Sequence, residues 1–404
     1  MSVRISVMGC CLVDYLYSPV DFTGDAFLSY ASRVPGDGGL EPGKLVFVED
    51  LEAFSGAGED KFLADLSGCG DPVTVNVGGP AIVAAINAAQ ILGDDGKVSF
   101  FGVYGDDHVG DTLRKLLAGF PVDLDRFSRI KGSSPCTFVL SDPGYNDGFG
   151  ERTFINRIGT SWSIKPQDIP DDFFASDILF FGATAVLPHI HQALDILLKM
   201  GRDAGAINIV STVFDFINEK KDPASRWPLG SGDGSYTLTD LLVTDREEAL
   251  RLSGRSSLTA AGEFFIEKGL KAFVITQGAE DVYLYSSGAR FRQTRPRYLP
   301  VSERVKREIR EGKAVCGDTT GCGDNFAGGV LASVAMQLGD DGTGKPDLTE
   351  ACAWGTASGG FACFSMGGAF PESEPGEKRK LLEDYFGNYL AQIGTVGGEQ
   401  EKIG

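Results

Sequence analysis

The chain has 404 residues, of which 42% are hydrophobic and 23% charged, enough for one large or two medium globular domains. Its formal net charge of -19 argues against nucleic acid as the main partner, because phosphate backbones are gripped by clustered Lys and Arg. An acidic protein can still hold a nucleotide through backbone amides and a divalent cation.

In chain order, β-branched runs alternate with stretches of helical period. Ile5–Cys10 reads as the first strand, without the long apolar core of a signal peptide. Helix Pro80–Leu92, strand Val98–Val103 and helix Val109–Phe120 follow. Next come strand Asp177–Phe181, helix Ile190–Gly201 and strand Ile207–Ser211. Strand Leu241–Thr244 leads to helices Glu247–Ser253 and Leu258–Gly269, then strands Ala272–Thr276 and Val282–Tyr285. Helices Gly323–Leu338, Leu348–Phe364 and Lys378–Ile393 close the chain. The alternation predicts an α/β fold with a mainly parallel sheet covered on both faces.

Three stretches interrupt it. Ser18 to Pro72 is a long insertion rich in Gly, Asp and Phe. Cys136–Asn156 reads as a projecting hairpin, and with the insertion it predicts a small β lid. Arg290–Lys313 is irregular and basic, and reads as a solvated surface excursion. The predicted organisation is one domain over 1–393, with lid segments at about 15–75 and 133–158 and a disordered tail over 394–404. No apolar run is long enough to cross a bilayer, so a cytoplasmic protein without a membrane partner is expected. The eight cysteines form no Cys-x-x-Cys pair and predict reduced, buried thiols. His189 and His191 follow a proline and predict a helix start rather than a metal site.

The most informative run is Gly317-Asp318-Thr319-Thr320-Gly321-Cys322-Gly323-Asp324-Asn325-Phe326, a glycine-rich turn opening into a helix with one apolar face. The amides of Gly321, Cys322 and Gly323 are expected at the positive end of that helix, where anionic oxygens bind. Asp324 lies in the first turn, placed to take a proton from a hydroxyl. An anion cradle beside a carboxylate predicts phosphoryl transfer. By contrast, Gly339-Asp340-Asp341-Gly342-Thr343-Gly344-Lys345-Pro346 misses a phosphate-loop pattern, since Pro346 offers no hydroxyl and the run follows a helix. Asp106-Asp107 reads as a turn and helix cap rather than a metal pair.

Asp318–Phe326 resembles the C-terminal signature of the ribokinase/PfkB family of carbohydrate kinases, with Cys322 in place of an alanine. Gly78-Gly79, Phe101–Gly110, Gly150-Glu151-Arg152-Thr153 and Thr276-Gln277-Gly278 resemble further family segments, in family order over nearly the whole chain. The resemblance implies a ribokinase-like three-layer sandwich with a small β lid. It implies Asp324 as catalytic base, and Gly321, Cys322 and Gly323 as the anion hole for the transferring phosphoryl group. Asp14, Gly78, Gly79 and Asp324 would bind the substrate. Asp245, Glu248, Thr276, Gly278 and Thr356 would line the nucleotide site. Glu248 would order Mg2+ through water, and Asp318 and Thr320 would contribute to a K+ site. Val83 and Asp245 stand where the family places asparagines, which leaves the substrate open.

The expected activity is ATP-dependent phosphorylation of a hydroxyl on a small polyhydroxylated molecule, a sugar or sugar phosphate. The alternatives are a nucleoside kinase of the adenosine type and a non-catalytic ligand sensor on the same fold. The resemblance is also compatible with a homodimer formed through lid strands.

Overall fold

The computed structural model describes residues 2–34, 36–68, 70–148, 150–313, 320–341 and 344–400. Nine strands form the main sheet, in the spatial order 294–299, 280–286, 272–277, 241–245, 207–211, 178–182, 3–9, 96–105 and 127–130. From 272–277 to 127–130 every neighbouring pair is parallel; only the pairings of 272–277 with 280–286 and of 280–286 with 294–299 are antiparallel.

Buried parallel strands need apolar side chains on both faces, and Ile178–Gly182 (Ile-Leu-Phe-Phe-Gly) supplies them. Ile178 and Phe180 enter one core, whereas Leu179 and Phe181 enter the other. The first core lies under helices Pro80–Leu92, Cys322–Asp341 and Leu348–Ala362. The second lies under Leu194–Asp203, Arg246–Ser253 and Leu258–Glu267. This is the expected ribokinase-like α/β layering.

Helix Pro80–Leu92 starts with proline at its first turn and stops at Gly93 (φ 53°), a conformation glycine adopts freely. Its neighbour Cys322–Asp341 approaches so closely that a Cβ on Gly328 would lie 2.6 Å from Ala84 O. On the other side, a Cβ on Gly329 would lie 2.5 Å from Trp354 O.

A second sheet of five strands has the order 45–47, 151–157, 136–142, 12–17 and 74–78. Cys136–Asp142 and Glu151–Arg157 form the expected antiparallel hairpin. The long insertion is more ordered than its composition implied. It folds as helix Asp25–Tyr30, strand Leu45–Phe47 and helices Val48–Ser55 and Glu59–Ser67. Phe27, Leu51, Phe62 and Leu66 share an apolar core with Val13, Phe138, Leu140 and Ile155 of the lid strands. The insertion thus backs one face of the second sheet and leaves the other free to line a cavity.

Other sequence expectations meet the structure as follows. The single helix expected over Ile190–Gly201 is two, Pro188–Gln192 and Leu194–Asp203, broken at Ala193. The basic stretch 290–313 contains an edge strand, Thr294–Leu299, and helix Glu303–Arg310. Charged side chains on an exposed edge discourage strand addition by other chains. Asp107 caps helix His108–Leu117 by accepting from Gly110 N at 2.9 Å, as a capping role requires. His191 is held by Gly230 N–H on Nε2 (3.1 Å), so Nδ1 carries the proton facing Thr184 Oγ1 at 2.9 Å. Among the described residues no group of His, Cys, Asp or Glu forms a metal-ligating cluster, and no helix is long and apolar enough to cross a membrane. Residues 394–400, where a disordered tail was expected, continue helix Glu377–Gln400, and 401–404 lie outside the described residues.

Candidate active site

Asp14 sits in strand Leu12–Tyr17, opposite Asn76 in the antiparallel pairing with Thr74–Gly78. A Cβ at Gly78 would lie 2.1 Å from Asp14 Oδ2, so only glycine leaves room for that carboxylate. Gly79 has φ +105° and would place a Cβ 2.6 Å from Cys10 O. The glycine pair therefore answers two different constraints, one steric and one conformational.

At the other wall, Gly321 takes φ +76° and lies against Gly368, whose Cα would be 2.5 Å from an added Cβ. The helix begins at Cys322, which puts the amides of Cys322 and Gly323 in the first turn, where helix N–H groups lack intrahelical acceptors. At Gly323 an added Cβ would meet nothing within 4 Å, so its backbone faces open space. Asp324 is half-buried one step on. Protein packed around its carboxyl withdraws water and pushes it up to about 6.

Asn325 anchors this turn. Its N–H donates to Gly321 O at 2.8 Å, and its Nδ2 donates to Gly321 O (2.9 Å) and Gly368 O (2.7 Å). Its own carbonyl accepts from Asn87 Nδ2 at 2.8 Å. Lys378 Nζ donates to Asn325 Oδ1 at 2.9 Å from a side chain only 1% exposed, and burial pulls the ammonium down to about 7. Sequence reasoning missed both residues. Asn325 stood within the signature but carried no role, and a lysine on a charged helix reads as solvated.

Between these walls lies a cavity of about 250 Å³. Its polar lining includes Asp14, Gly79, Thr137, Asn156, Ser161 and Thr320. Its apolar lining includes Leu45, Phe47, Val139, Phe154, Val213 and Phe216. Thr137 with Val139 and Phe154 with Asn156 are alternate residues of the lid hairpin, so a period of two could have picked them out. Val186 and Val213 enter from the carboxyl ends of parallel strands, the usual place for a ligand in such sheets. Asp324 is not one of the lining residues; Thr320, one turn ahead, is. Gly317, Asp318 and Thr319 lie outside the described residues.

Among the contacts that tie the lid to the body are the following three. Arg152 Nη1 donates to Thr320 Oγ1 at 2.7 Å. Lys220 Nζ pairs with Asp50 Oδ1 at 2.7 Å, and the rings of Phe47 and Phe216 meet edge-on at 5.5 Å.

Asp245, Thr276 and Gly278 lie at the ends of neighbouring strands, whereas Glu248 and Thr356 are on helices. Asp245 ends strand Leu241–Asp245 and caps helix Arg246–Ser253, in a capping box with Glu248. Glu248 is 8% exposed, and its Oε2 accepts from the hydroxyls of Thr212 and Thr244. Burial first, and then the charge of Asp245, raises Glu248 to about 7. Thr276 lies on the adjacent strand, and Gly278 (φ +61°) turns the chain into strand Glu280–Ser286. Thr356 is buried in helix Leu348–Ala362, its hydroxyl within reach of Tyr389.

Comparison with known proteins decides what this arrangement belongs to. Residues 57–375 match the pfkB family carbohydrate kinases. The chain belongs to that family. This kinase is 24% identical over 326 residues to an aminoimidazole riboside kinase of Salmonella typhimurium, covering 79% of this chain and 91% of the relative. It is 27% identical over 285 residues to a fructokinase of Klebsiella pneumoniae, covering 68% and 80%. Its fold matches Arabidopsis thaliana ribokinase complexed with ribose and ATP, with a TM-score of 0.61 at 18% identity over 96% of this chain and 99% of that one. Family membership makes the protein an ATP-using phosphotransferase with a hydroxyl acceptor.

Proposed function

We propose that this kinase phosphorylates a neutral, polyhydroxylated small molecule held in the 250 Å³ cavity, a sugar in the first instance. The observation carrying this reading is that Asp14, Gly79 and Thr320, from three separate parts of the chain, line one cavity beside the Asp324 helix. Asp14 accepts hydrogen bonds from substrate hydroxyls, a task suited to a carboxylate with two acceptor oxygens. Asp324 takes the proton of the attacking hydroxyl, and the amides of Gly321, Cys322 and Gly323 receive the charge that grows on the transferring phosphoryl group. The lid excludes water, which would otherwise accept the phosphoryl group. None of the cavity's described lining residues is Lys or Arg, which weighs against a sugar phosphate.

Thr276, Gly278 and Thr356 are the groups for the nucleotide. The oxygen donors Asp245 and Glu248 suit Mg2+, a hard cation, with Glu248 acting through water. Bound there, Mg2+ would neutralise charge on the ATP phosphates. Thr320 is the described residue of the pair read for K+, and Asp318 lies outside the described residues. Turnover compared in potassium and in choline buffers tests that site.

A nucleoside is the second reading, favoured by the rings of Phe47, Phe154 and Phe216 in the cavity wall. An aromatic base would gain from stacking on such surfaces. The test is ATP-to-ADP turnover across neutral sugars, sugar phosphates and ribosides, with Asp324→Asn as control. Ligand binding without phosphoryl transfer to any acceptor would return the protein to the sensor reading.

A further inference from the structure

Two thiols meet at the mouth of the anion-hole turn. Cys322 Sγ, on the first residue of helix Cys322–Asp341, lies 3.6 Å from Cys363 Sγ at the end of helix Leu348–Ala362. We propose that Cys322 and Cys363 form a reversible disulfide under peroxide, and that this bond switches the kinase off by displacing the Cys322 amide. The inhibitory half rests on the reading of the 321–323 amides given above; the disulfide itself does not.

Packing, not loop freedom, brings the sulfurs together. A Cβ on Gly359, one turn before Cys363, would lie 2.9 Å from Cys322 O, and one on Gly355 would lie 3.0 Å from Phe326 O. Glycine at both positions lets the two helix backbones touch beside the thiols. Accessibility separates this pair from the other described cysteines. Cys10, Cys11, Cys136 and Cys352 are buried, and burial pushes Cys10 and Cys136 up to about 12, away from thiolate. Cys322 and Cys363 are each partly exposed, and Cys322 stands at a helix N-terminus, a setting that stabilises a thiolate.

The chemistry balances with hydrogen peroxide as oxidant. The Cys322 thiolate attacks one peroxide oxygen, the O–O bond breaks, and hydroxide leaves to become water on protonation. Cys363 then attacks the sulfenic sulfur, a second hydroxide leaves, and it takes the Cys363 proton. Two thiols lose two electrons and peroxide becomes two waters. Closing 3.6 Å to a bond of about 2.05 Å draws Cys322 toward the second helix. The helix has no room to slide, because Gly328 and Gly329 already touch neighbouring backbone on both sides. The movement therefore falls on the first turn and its amides.

The experiment treats the full-length protein with hydrogen peroxide, maps its unreduced peptides and follows turnover. The expected result is a linked peptide joining Cys322 to Cys363, turnover reduced by about tenfold or more, and recovery with dithiothreitol. That scale is set by the roughly 10²–10³ cost of losing one oxyanion-type donor. Cys363→Ala should keep basal turnover and become insensitive to peroxide. Should that variant fail to fold, Cys363→Ser serves the same purpose. Hydrogen exchange over 320–326, altered by oxidation in the wild type only, reads the strained turn without needing turnover. A reduced protein that phosphorylates nothing would remove the proposed function, yet the linked peptide and exchange would still decide the disulfide and its effect on the turn. The proposal is overturned if no such peptide forms, if Cys316 replaces either partner, if the linked protein keeps full turnover, or if Cys363→Ala stays peroxide-sensitive.

Discussion

Arg152 and Thr320 are 168 residues apart, yet the guanidinium of one donates to the hydroxyl of the other at 2.7 Å. The bond joins strand Glu151–Arg157 to the turn that precedes helix Cys322–Asp341. A charge-assisted hydrogen bond contributes about 1.5–3 kcal/mol. Arg152→Ala should therefore lower kcat/KM by roughly ten- to a hundredfold. Far-ultraviolet circular dichroism matching the wild type would assign that loss to lid closure. Unchanged kinetics would show that the bond does not govern closure.

The carboxyl of Asp324 is held at about 6 by burial, and a base works only when ionised. Log kcat/KM should fall with unit slope as pH drops below about 6, and level off above it. Asp324→Asn should reduce kcat by about 10²–10⁴ and abolish that limb. Steady-state rates from pH 5 to 8 test both statements.

Gly78→Ala addresses the other wall. Its new methyl group would overlap Asp14 Oδ2, so the carboxylate must swing out of the cavity. KM for the acceptor should rise about tenfold or more, in line with a lost hydrogen bond to a charged group, while KM for ATP stays within about twofold. Equal rises in both constants would count against Asp14 as an acceptor-binding residue.

Lys378 carries a stability signature. Its ammonium titrates at about 7 in the folded protein against 10.5 ordinarily. Between those values the unfolded chain holds the proton and the folded chain does not, so stability rises with pH from about 7 toward 10.5. Below pH 7 both states are protonated, and the penalty for the buried charge is complete. Lys378→Met should flatten this rise while leaving Asn325 Oδ1 buried and unpaired, at a cost of about 1–3 kcal/mol. Urea midpoints for both proteins at pH 6.5, 8 and 9.5 would reveal it.

The layered fold could be read from the sequence because buried parallel strands are apolar runs, as Ile178–Gly182 is throughout and Ala272–Gln277 is over its first four residues. The glycine-rich walls were equally plain, since Gly79 and Gly321 answer local backbone demands that few other residues meet. What escaped was fixed by distant partners. Lys378 meets Asn325 across 53 residues, and nothing local marks it as buried. The helices at Val48–Ser55 and Glu59–Ser67 escaped because short amphipathic segments among glycines carry little periodicity until they pack on Val13, Phe138 and Ile155. The break at Ala193 escaped because the apolar pattern runs on through it.

Gly328 and Gly329 wedge helix Cys322–Asp341 between the backbones of two others. A substitution there is expected to shift the turn at its N-terminus, whichever molecule the enzyme serves. The lid strands, by contrast, turn alternate side chains into the cavity while their opposite faces join the apolar core that the insertion completes. Val139, Phe154 and Asn156 are therefore the positions at which a change of acceptor is expected to show first. The strand period of two thus separates, residue by residue, the positions that face a ligand from those that hold the sheet in place.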